Sequence, residues 1–448
     1  MAEDLASLTE ALLGAARRAG ADAADALALS GRAVSVDVLG GVLETAERAE
    51  GTDLGLRVFV GRRQACVAAS DTRRETIEEM AARAVAMARE APEDPWAGLA
   101  EPGQLAHGWD LAALELCDPS PEPDPAALEE DARRAEAAAL AVPGVAQVQQ
   151  ASAGFSHRAL HLAASNGFSG GYARSSRALS CVAISGEGLA MERDWSAESR
   201  VFQADLPSPD AVGREAGERA AARAGARRPK TGAVPVLFDE RVADSLIGHL
   251  LSAVDGTAIA RGASWLRDAL DCPVLPPALD LVEDPLRPRS PASRPFDAEG
   301  LPTARRAIVS GGVLRGWTLD LATARKMGFA STANATRGTG APPSPGLSNI
   351  ALTQGNQSRD ELITMMGTGL LVTSLIGATI NPNTGDYSRG AAGFWVENGA
   401  IAYPVNECTI AGNLREMLMR LTPANDARAH LSRVVPSLLV EGLTLAGA

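Results

Sequence analysis

From Asn381 to Leu414 the chain reads Asn-Pro-Asn-Thr-Gly-Asp-Tyr-Ser-Arg-Gly-Ala-Ala-Gly-Phe-Trp-Val-Glu-Asn-Gly-Ala-Ile-Ala-Tyr-Pro-Val-Asn-Glu-Cys-Thr-Ile-Ala-Gly-Asn-Leu. Asn398-Gly399 lies between two short runs of strand-forming residues, 393–397 and 400–403. An Asn-Gly pair in that position favours a two-residue turn, so the stretch predicts a β-hairpin. A proline and a glycine near its start predict a further turn before the first strand.

The same hairpin carries polar, charged and aromatic side chains that could form a working surface. Aromatic residues in strands are commonly core residues, but two of the chain's three tyrosines lie within this one stretch. Strand alternation places the neighbouring Phe and Trp on opposite faces, one in the core and one facing outward. The three charged residues Asp386, Arg389 and Glu397 could form a network. The predicted surface comprises Asp386, Tyr387, Ser388, Arg389, Phe394, Trp395, Glu397 and Asn398.

Length and composition place the chain among ordinary globular proteins. Its 448 residues are enough for two or three domains, each with its own core. Hydrophobic residues make up 46% and charged residues 22%, which is typical of a soluble protein. The formal net charge of -13 argues against nucleic acid or an anionic membrane as the principal partner.

The cysteines and the apolar runs indicate a cytoplasmic protein. None of the five cysteines forms a Cys-x-x-Cys pair, and such a dispersed set indicates reduced thiols rather than a disulfide framework. Glu3 and Asp4 near the start are wrong for a basic signal peptide. The longest apolar run, 369–380, is too short to span a bilayer.

Element patterns predict an α+β fold with two units. An N-terminal α/β domain, residues 1–228, mixes long strands with Ala-rich helices. A basic break containing Pro and Gly, 226–232, ends it. The second unit, residues 229–448, is a β-rich C-terminal domain with a few helices, of which the first is predicted from Arg241 to Val254.

Four blocks of sequence, in order, carry a family resemblance. The hairpin block closely resembles the signature of the TldE (PmbA) proteins, which belong to the bacterial and archaeal TldD/TldE metalloprotease family. Pro-Phe-Asp-Ala-Glu-Gly at 295–300 and Met-Gly-Thr-Gly-Leu-Leu-Val at 366–372 are similar to two further family blocks. Leu-Ile-Gly-His-Leu at 246–250 is a fourth, weaker match. The resemblance covers the second half of the chain and, more loosely, the first.

This resemblance implies a division of labour between two kinds of subunit. It implies an N-terminal α/β domain and a β-rich C-terminal domain in each. A TldD-like partner would contribute the metal and the general base, and the TldE subunit would complete an enclosed chamber. The implied substrates are unfolded peptides and the leader segments of modified peptide precursors. The hairpin residues would then contact the partner or line the chamber wall.

The metal-binding element of the TldD branch is incomplete here. In that branch a His-Glu-x-x-x-His element on a helix and a C-terminal Cys hold the metal. Alignment on Gly248-His249 puts His249 at the second histidine, while Asp244 and Ser245 stand at the first His and the Glu. Residues 422–448 contain no Cys. Asp244 and His249 are thus only weak candidates for a metal site. We expect this chain to bind no cofactor and the partner subunit to hold zinc.

Two other sets of titratable residues offer little chemistry. Asp297 and Glu299 form a carboxylate pair on a turn, where such pairs are usually solvated. His157 and His161 share a strand face but lie about 13 Å apart, too far to share a metal ion.

Three hypotheses follow. The missing His, Glu and Cys favour a non-catalytic partner subunit that acts on peptides only together with a TldD-like chain. An autonomous metallopeptidase would need a different, non-standard ligand set. A homodimeric scaffold or binding protein is the third reading, in which the chain works without a TldD-like partner.

Overall fold

The computed structural model describes residues 4–447, apart from the side chain of Ala378. The fold is a mixed α+β fold, as predicted, with a β-rich second half. Residues 1–3 and 448, which belong to the two predicted units, lie outside the described residues. Glu3, which argues against a signal peptide, is one of them. No helix between residues 4 and 447 is long and apolar enough to cross a membrane.

The helices are short and are distributed along the described chain. Three 3₁₀ turns accompany them, at Pro102–Gln104, Gly188–Ala190 and Gln203–Asp205. The α-helices are α1 (Leu5–Ala19), α2 (Arg74–Glu90), α3 (Leu111–Leu114), α4 (Pro125–Leu140), α5 (Pro209–Ala222), α6 (Glu240–Ala253), α7 (Gly256–Ala260), α8 (Leu321–Met327), α9 (Arg359–Met366) and α10 (Leu414–Met419).

The N-terminal part is built on one antiparallel six-stranded sheet. Its strands are β1 (Ala23–Leu39), β2 (Val42–Val60), β3 (Arg63–Ala69), β4 (Val145–Ala164), β5 (Ser169–Ser185) and β6 (Glu192–Arg200). Their spatial order is β3-β2-β1-β4-β5-β6. Strands β1, β2, β4 and β5 are long, so the sheet extends well beyond the helices that cover it.

Helices cover only one face of this sheet. Ala26 and Ala28 of β1 pack against α1 and α2, and Val36 packs against α4 in a separate cluster. Residues of the opposite parity, such as Leu27, point away from the helices and join a cluster that contains Phe296 of the second half. We call this second side, which no helix of the N-terminal part covers, the open face.

The C-terminal part contains a curled six-stranded sheet, ordered β16-β15-β14-β7-β19-β17, in which β16 also pairs with β19. A second, five-stranded sheet has the order β10-β9-β8-β13-β18, and β11 pairs with β12. The strands are β7 (Gly232–Phe238), β8 (Leu281–Glu283), β9 (Arg306–Ser310), β10 (Val313–Leu314), β11 (Ala335–Thr336), β12 (Ser344–Pro345), β13 (Ile350–Leu352), β14 (Gly369–Ile380), β15 (Asp386–Glu397), β16 (Ala400–Asn413), β17 (Leu421–Pro423), β18 (Arg433–Val434) and β19 (Leu438–Ala446).

The largest core lies between the two C-terminal sheets and α6. The apolar face of α6 contributes Leu246, Ile247 and Leu250, which are fully buried with Phe238 of β7. The predicted division at residue 228 falls in the irregular segment between α5 and β7, and it stays a prediction.

The predicted hairpin is confirmed as β15 and β16. Asn398 has φ 53° and Gly399 has φ 74°, the positive pair that a type I′ turn requires. Phe394 and Trp395 do lie on opposite faces, but the expectation that one of them points outward is wrong. Trp395 joins the largest core, and Phe394 packs with the cluster beneath α9, because this sheet has cover on both sides.

Replacing Gly399 by Val should destabilise the protein by roughly 1–3 kcal/mol. A Cβ at this position would lie 3.1 Å from Thr364 Cα in a backbone conformation that β-branched residues avoid. Thermal or urea unfolding of the variant measures the loss. Gly232→Val is the matched control, because nothing lies within 4 Å of its Cβ position and no positive φ is required there. Equal unfolding midpoints for the two variants would contradict the turn assignment.

Candidate functional site

Helix α6 is where the family resemblance places catalytic chemistry. It begins at Asp239, whose carboxylate caps the helix by accepting from the Arg241 backbone N–H at 3.3 Å. Its apolar stripe is buried in the core. The remaining half-buried face carries Asp244, Ser245 and His249.

His249 lies in an aromatic and cationic environment. Its ring packs edge-to-face on Tyr387, with 5.8 Å between ring centroids. Its buried Nε2 has no hydrogen-bond partner among the described residues. Burial and the nearby Arg389 guanidinium both lower the pKa of His249, so the neutral imidazole is favoured.

Arg389 links the hairpin to α6. Its Nε donates to the Gly377 carbonyl oxygen at 2.6 Å, and its Nη1 donates to Ser245 Oγ at 3.3 Å. Burial raises the pKa of the neighbouring Tyr387 to about 12, although the Arg389 cation opposes that rise. The tyrosine is therefore a neutral phenol, and the charge beside His249 and Ser245 is the Arg389 cation.

These residues do not fit a metal ion. Asp244 is instead 3.7 Å from the Arg433 guanidinium. The Arg389 cation beside His249 would repel a dication. Within residues 4–447 no three His, Cys, Asp or Glu side chains are grouped as metal ligands.

The structure separates the predicted hairpin surface into exposed and buried members. Asp386, Glu397 and Asn398 are exposed, whereas Ser388, Arg389 and Phe394 are half-buried. Tyr387 is only 2% exposed and Trp395 is also buried, so neither lies on a surface of the chain. Both side chains belong to the largest core, and Tyr387 contacts His249 of α6.

The expected charge network among the hairpin residues does not form. Asp386 accepts from Thr384 Oγ1 and Asn413 Nδ2, which closes the turn before β15. Glu397 accepts from Trp395 Nε1 at 3.0 Å. Each carboxylate therefore accepts hydrogen bonds from nearby neutral groups, whereas Arg389 donates to Ser245 of α6.

A large cleft beside the hairpin was not predicted. It has a volume of about 920 Å³ and lies between β6 of the N-terminal sheet and strands β14–β16. Leu189, Met191, Trp195 and Ile376 are exposed along it, and Ile376 is 68% exposed. The sequence offered one indication of this cleft, the apolar run Leu-Ala-Met at 189–191 in the Gly-containing segment just before β6. Apolar residues in such a connecting segment often remain exposed. We call this the apolar cleft.

The carboxylate pair at 297 and 299 was wrongly expected to be solvated. Asp297 and Glu299 are both buried, and Asp297 accepts three backbone N–H groups, from Glu299, Leu301 and Ala335. Glu299 accepts from the Leu321 backbone N–H at 2.8 Å. Burial, together with the adjacent Asp297 charge, raises the pKa of Glu299 from 4.5 to about 8. The pair therefore serves the packing of this loop against α8 and the N-terminal sheet.

The two histidines of β4 face the helices. His161 Nδ1 is 2.8 Å from Thr9 Oγ1 of α1, and burial lowers the pKa of this imidazole. Like His157, it lies on the opposite sheet face from the open face.

Comparison with protein families accounts for most of the chain. Family models of the PmbA/TldA metallopeptidases match in three parts: domain 1 at residues 24–88, the central domain at 118–224 and the C-terminal domain at 231–447. Metalloprotease PmbA of Escherichia coli O157:H7 is 34% identical over 415 residues, covering 92% of this chain and 90% of that protein. The metalloprotease PmbA homolog of Haemophilus influenzae is 34% identical over 440 residues, covering 96% and 94%.

Solved structures share the whole fold. A protein structure from Bacteroides thetaiotaomicron superposes with a TM-score of 0.91 at 27% identity, covering 99% of this chain and 98% of that one. TldE from Thermococcus kodakarensis has a TM-score of 0.86 at 20% identity, covering 98% and 100%, which shows a common fold. The chain belongs to the PmbA/TldD metallopeptidase family. The resemblance read from the four sequence blocks is thus confirmed.

The purified chain should bind no stoichiometric zinc. The reason is that α6 presents Asp244, Ser245 and His249 in an arrangement that cannot supply three ligands, beside the fixed cation of Arg389. Elemental analysis of the wild type and of His249→Ala should give the same trace zinc content. About one zinc per chain, lost in His249→Ala, would contradict this prediction.

Glu299→Gln should flatten the pH dependence of stability. A carboxyl whose folded pKa is raised from 4.5 to about 8 stabilises the fold fully below pH 4.5, and this contribution is lost as the pH rises through about 8. The wild type should lose up to about 1.4 kcal/mol per pH unit between these values, and the glutamine variant should not. Urea unfolding at a series of pH values measures this. The exposed Glu44→Gln is the control, and the same slope in all three proteins would refute the prediction.

Proposed function

We propose that this chain is the non-catalytic, TldE-type subunit of a two-component metallopeptidase. In this proposal it assembles with a TldD-like chain that holds zinc and the general base. This chain then encloses and orients the peptide substrate without cleaving it. Unfolded peptides and the leader segments of peptide precursors are the proposed substrates, and the cytoplasm is the proposed location.

The observation that carries this proposal is the chemistry around α6. Activation of water for peptide hydrolysis needs a general base beside the metal-bound water. Ser245 occupies the expected position of the glutamate, and its hydroxyl donates to the Val242 carbonyl oxygen at 2.7 Å. Arg389 donates to the same hydroxyl, so this position is committed to structural hydrogen bonds. A chain with this helix can contribute to proteolysis by binding and shaping.

The apolar cleft is the surface best suited to the TldD-like partner. Exposed Ile376, Met191 and Trp195 form an apolar group on a chain with a formal net charge of -13. Large apolar and aromatic side chains gathered at one place are typical of protein interfaces. Arg389 stabilises this surface indirectly. Its hydrogen bond to the Gly377 carbonyl oxygen fixes the irregular part of β14, next to the exposed Ile376.

Cysteine chemistry is consistent with the proposed compartment. All five cysteines are free thiols, and burial raises the pKa of Cys181 to about 12 and that of Cys408 to about 11. These two thiols stay protonated and inert at neutral pH, as expected for core residues.

Arg389→Ala should lower peptide cleavage by the mixed complex, or weaken its assembly, by about tenfold while the isolated subunit remains folded. The loss of two bonds donated by a charged group frees both the β14 turn and Ser245, and 1.4 kcal/mol of lost coupling corresponds to tenfold. Mixing the variant with a TldD-like chain of the same organism, followed by size-exclusion chromatography and a peptide hydrolysis assay, measures both effects.

Two further variants sharpen this experiment. Ile376→Ser changes only an exposed side chain, so the isolated subunit should melt as the wild type does while assembly weakens. Arg267→Ala, which removes an exposed arginine paired with Asp268, should change neither quantity. Wild-type assembly and cleavage with Arg389→Ala would remove Arg389 from the functional surface. Cleavage by this chain without a partner would overturn the proposed function itself.

A further inference from the structure

Two arginines face each other on the open face of the N-terminal sheet. Arg158 of β4 and Arg174 of β5 are direct cross-strand partners. Their parity along the strands places both on the side away from the helices. Like charges directly opposite each other destabilise a sheet, so such a pair needs compensation.

No carboxylate of the described residues supplies that compensation. Arg158 has no salt bridge and no hydrogen bond within residues 4–447. Arg174 donates to the carbonyl oxygens of Pro291 and Ser293 and lies over the Tyr172 ring, so its contacts are with neutral groups. The chain carries 55 acidic residues against 42 basic ones, which makes an uncompensated pair of cations unusual.

Other arginines around the same site are neutralised. Arg200 pairs with Glu198 at 2.6 Å, and Arg289 pairs with Glu115 and Asp205 at 3.0 Å each. The positive charge that remains available is therefore centred on Arg158 and Arg174.

The arginine pair separates two adjoining cavities and lines both of them. On one side lies a cavity of about 360 Å³, lined by Ser156 and Ser176, whose hydroxyl groups lie on the open face. On the other side lies a cleft of about 700 Å³, lined by the apolar Leu29 and Leu160 and by the charged Arg32, Glu50 and Asp53. Together they form a groove along the open face with a cationic centre, hydroxyl groups at one end, and apolar and charged side chains at the other.

The groove suits an extended peptide that carries a carboxylate. A guanidinium binds a carboxylate through two parallel hydrogen bonds, and two guanidiniums can engage both carboxylate oxygens. Ser156 Oγ and Ser176 Oγ are 3.1 Å apart beside the arginines and offer further hydroxyl donors. Leu29 and Leu160 then contact an apolar side chain of the same peptide.

We propose that Arg158 and Arg174 form a carboxylate-binding site that anchors an acidic peptide along the open face. This inference rests on the proposed function, because it assigns the peptide substrate a second point of contact away from α6. The carboxylate comes either from an acidic side chain or from the peptide's C-terminus.

Calorimetric titration of the isolated chain at low salt tests this site directly. The first probe is an acetylated and amidated alanine pentapeptide with a central glutamate. The second has glutamine in place of glutamate, and the third is the glutamine peptide with a free C-terminal carboxylate. Inorganic phosphate is the fourth. The variants are Arg158→Gln, Arg158→Glu and the matched surface control Arg267→Gln.

The wild type should bind at least one carboxylate-bearing peptide about tenfold more tightly than the amidated glutamine peptide. Preference for the glutamate peptide assigns the site to acidic side chains, and preference for the third peptide assigns it to C-termini. Arg158→Gln should abolish this preference, and Arg267→Gln should retain it. Equal affinities for all three peptides, or an unchanged preference in Arg158→Gln, would overturn the proposal, as would binding of phosphate alone.

Arg158→Glu separates binding from a merely structural role. It places a carboxylate opposite Arg174, so it should abolish peptide binding and raise the melting temperature. A lowered melting temperature together with lost binding would assign Arg158 to the fold and overturn the site. These measurements need no partner, so failure of the site leaves subunit assembly untouched, and failure to assemble leaves peptide binding by this chain intact.

Discussion

The two halves of the molecule depend on a buried ion cluster centred on Asp25. Arg57 of the same sheet donates to Asp25 Oδ2 through Nε at 2.8 Å, and Arg337 of the second half donates to Oδ1. Burial alone would raise the pKa of Asp25, but the two guanidiniums outweigh it and lower the pKa, so the carboxylate stays ionised. Removing one member of such a cluster leaves an unpaired buried charge, which costs about 3–5 kcal/mol. The cluster therefore holds the segment around 294–337 against one end of the open face.

A second buried ion cluster lies at the β6 edge of the N-terminal sheet. Arg241, in the first turn of α6, donates to Asp239 and to Asp194 of β6, both at 3.0 Å. This contact ties α6 to the edge of the N-terminal sheet. The arginine pair and its groove lie on the open face. The apolar cleft lies at the β6 edge, so the proposed peptide and partner surfaces belong to one side of the molecule.

Local sequence patterns predicted the elements well, and contacts distant in sequence account for what they missed. The Asn398-Gly399 turn and the apolar stripe of α6 are read within a few residues, and both form as expected. The burial of Glu299 depends on Leu321 and on the aromatic cluster against the N-terminal sheet. The role of Arg389 depends on Ser245, which is 144 residues away. Opposition of Arg158 and Arg174 depends on the register of two long strands, which no local pattern specifies.

Helix α6 combines a face that packs the core with a face of polar side chains. Leu246, Ile247 and Leu250 on its inner face pack the largest core, and they impose the helix and its position regardless of what the other face carries. Here Ser245 and Arg389 close that face with hydrogen bonds, and His249 is a neutral imidazole against Tyr387. In our proposal, positioning the peptide then passes from this helix to the sheet surfaces around it, where charge and apolar area remain exposed.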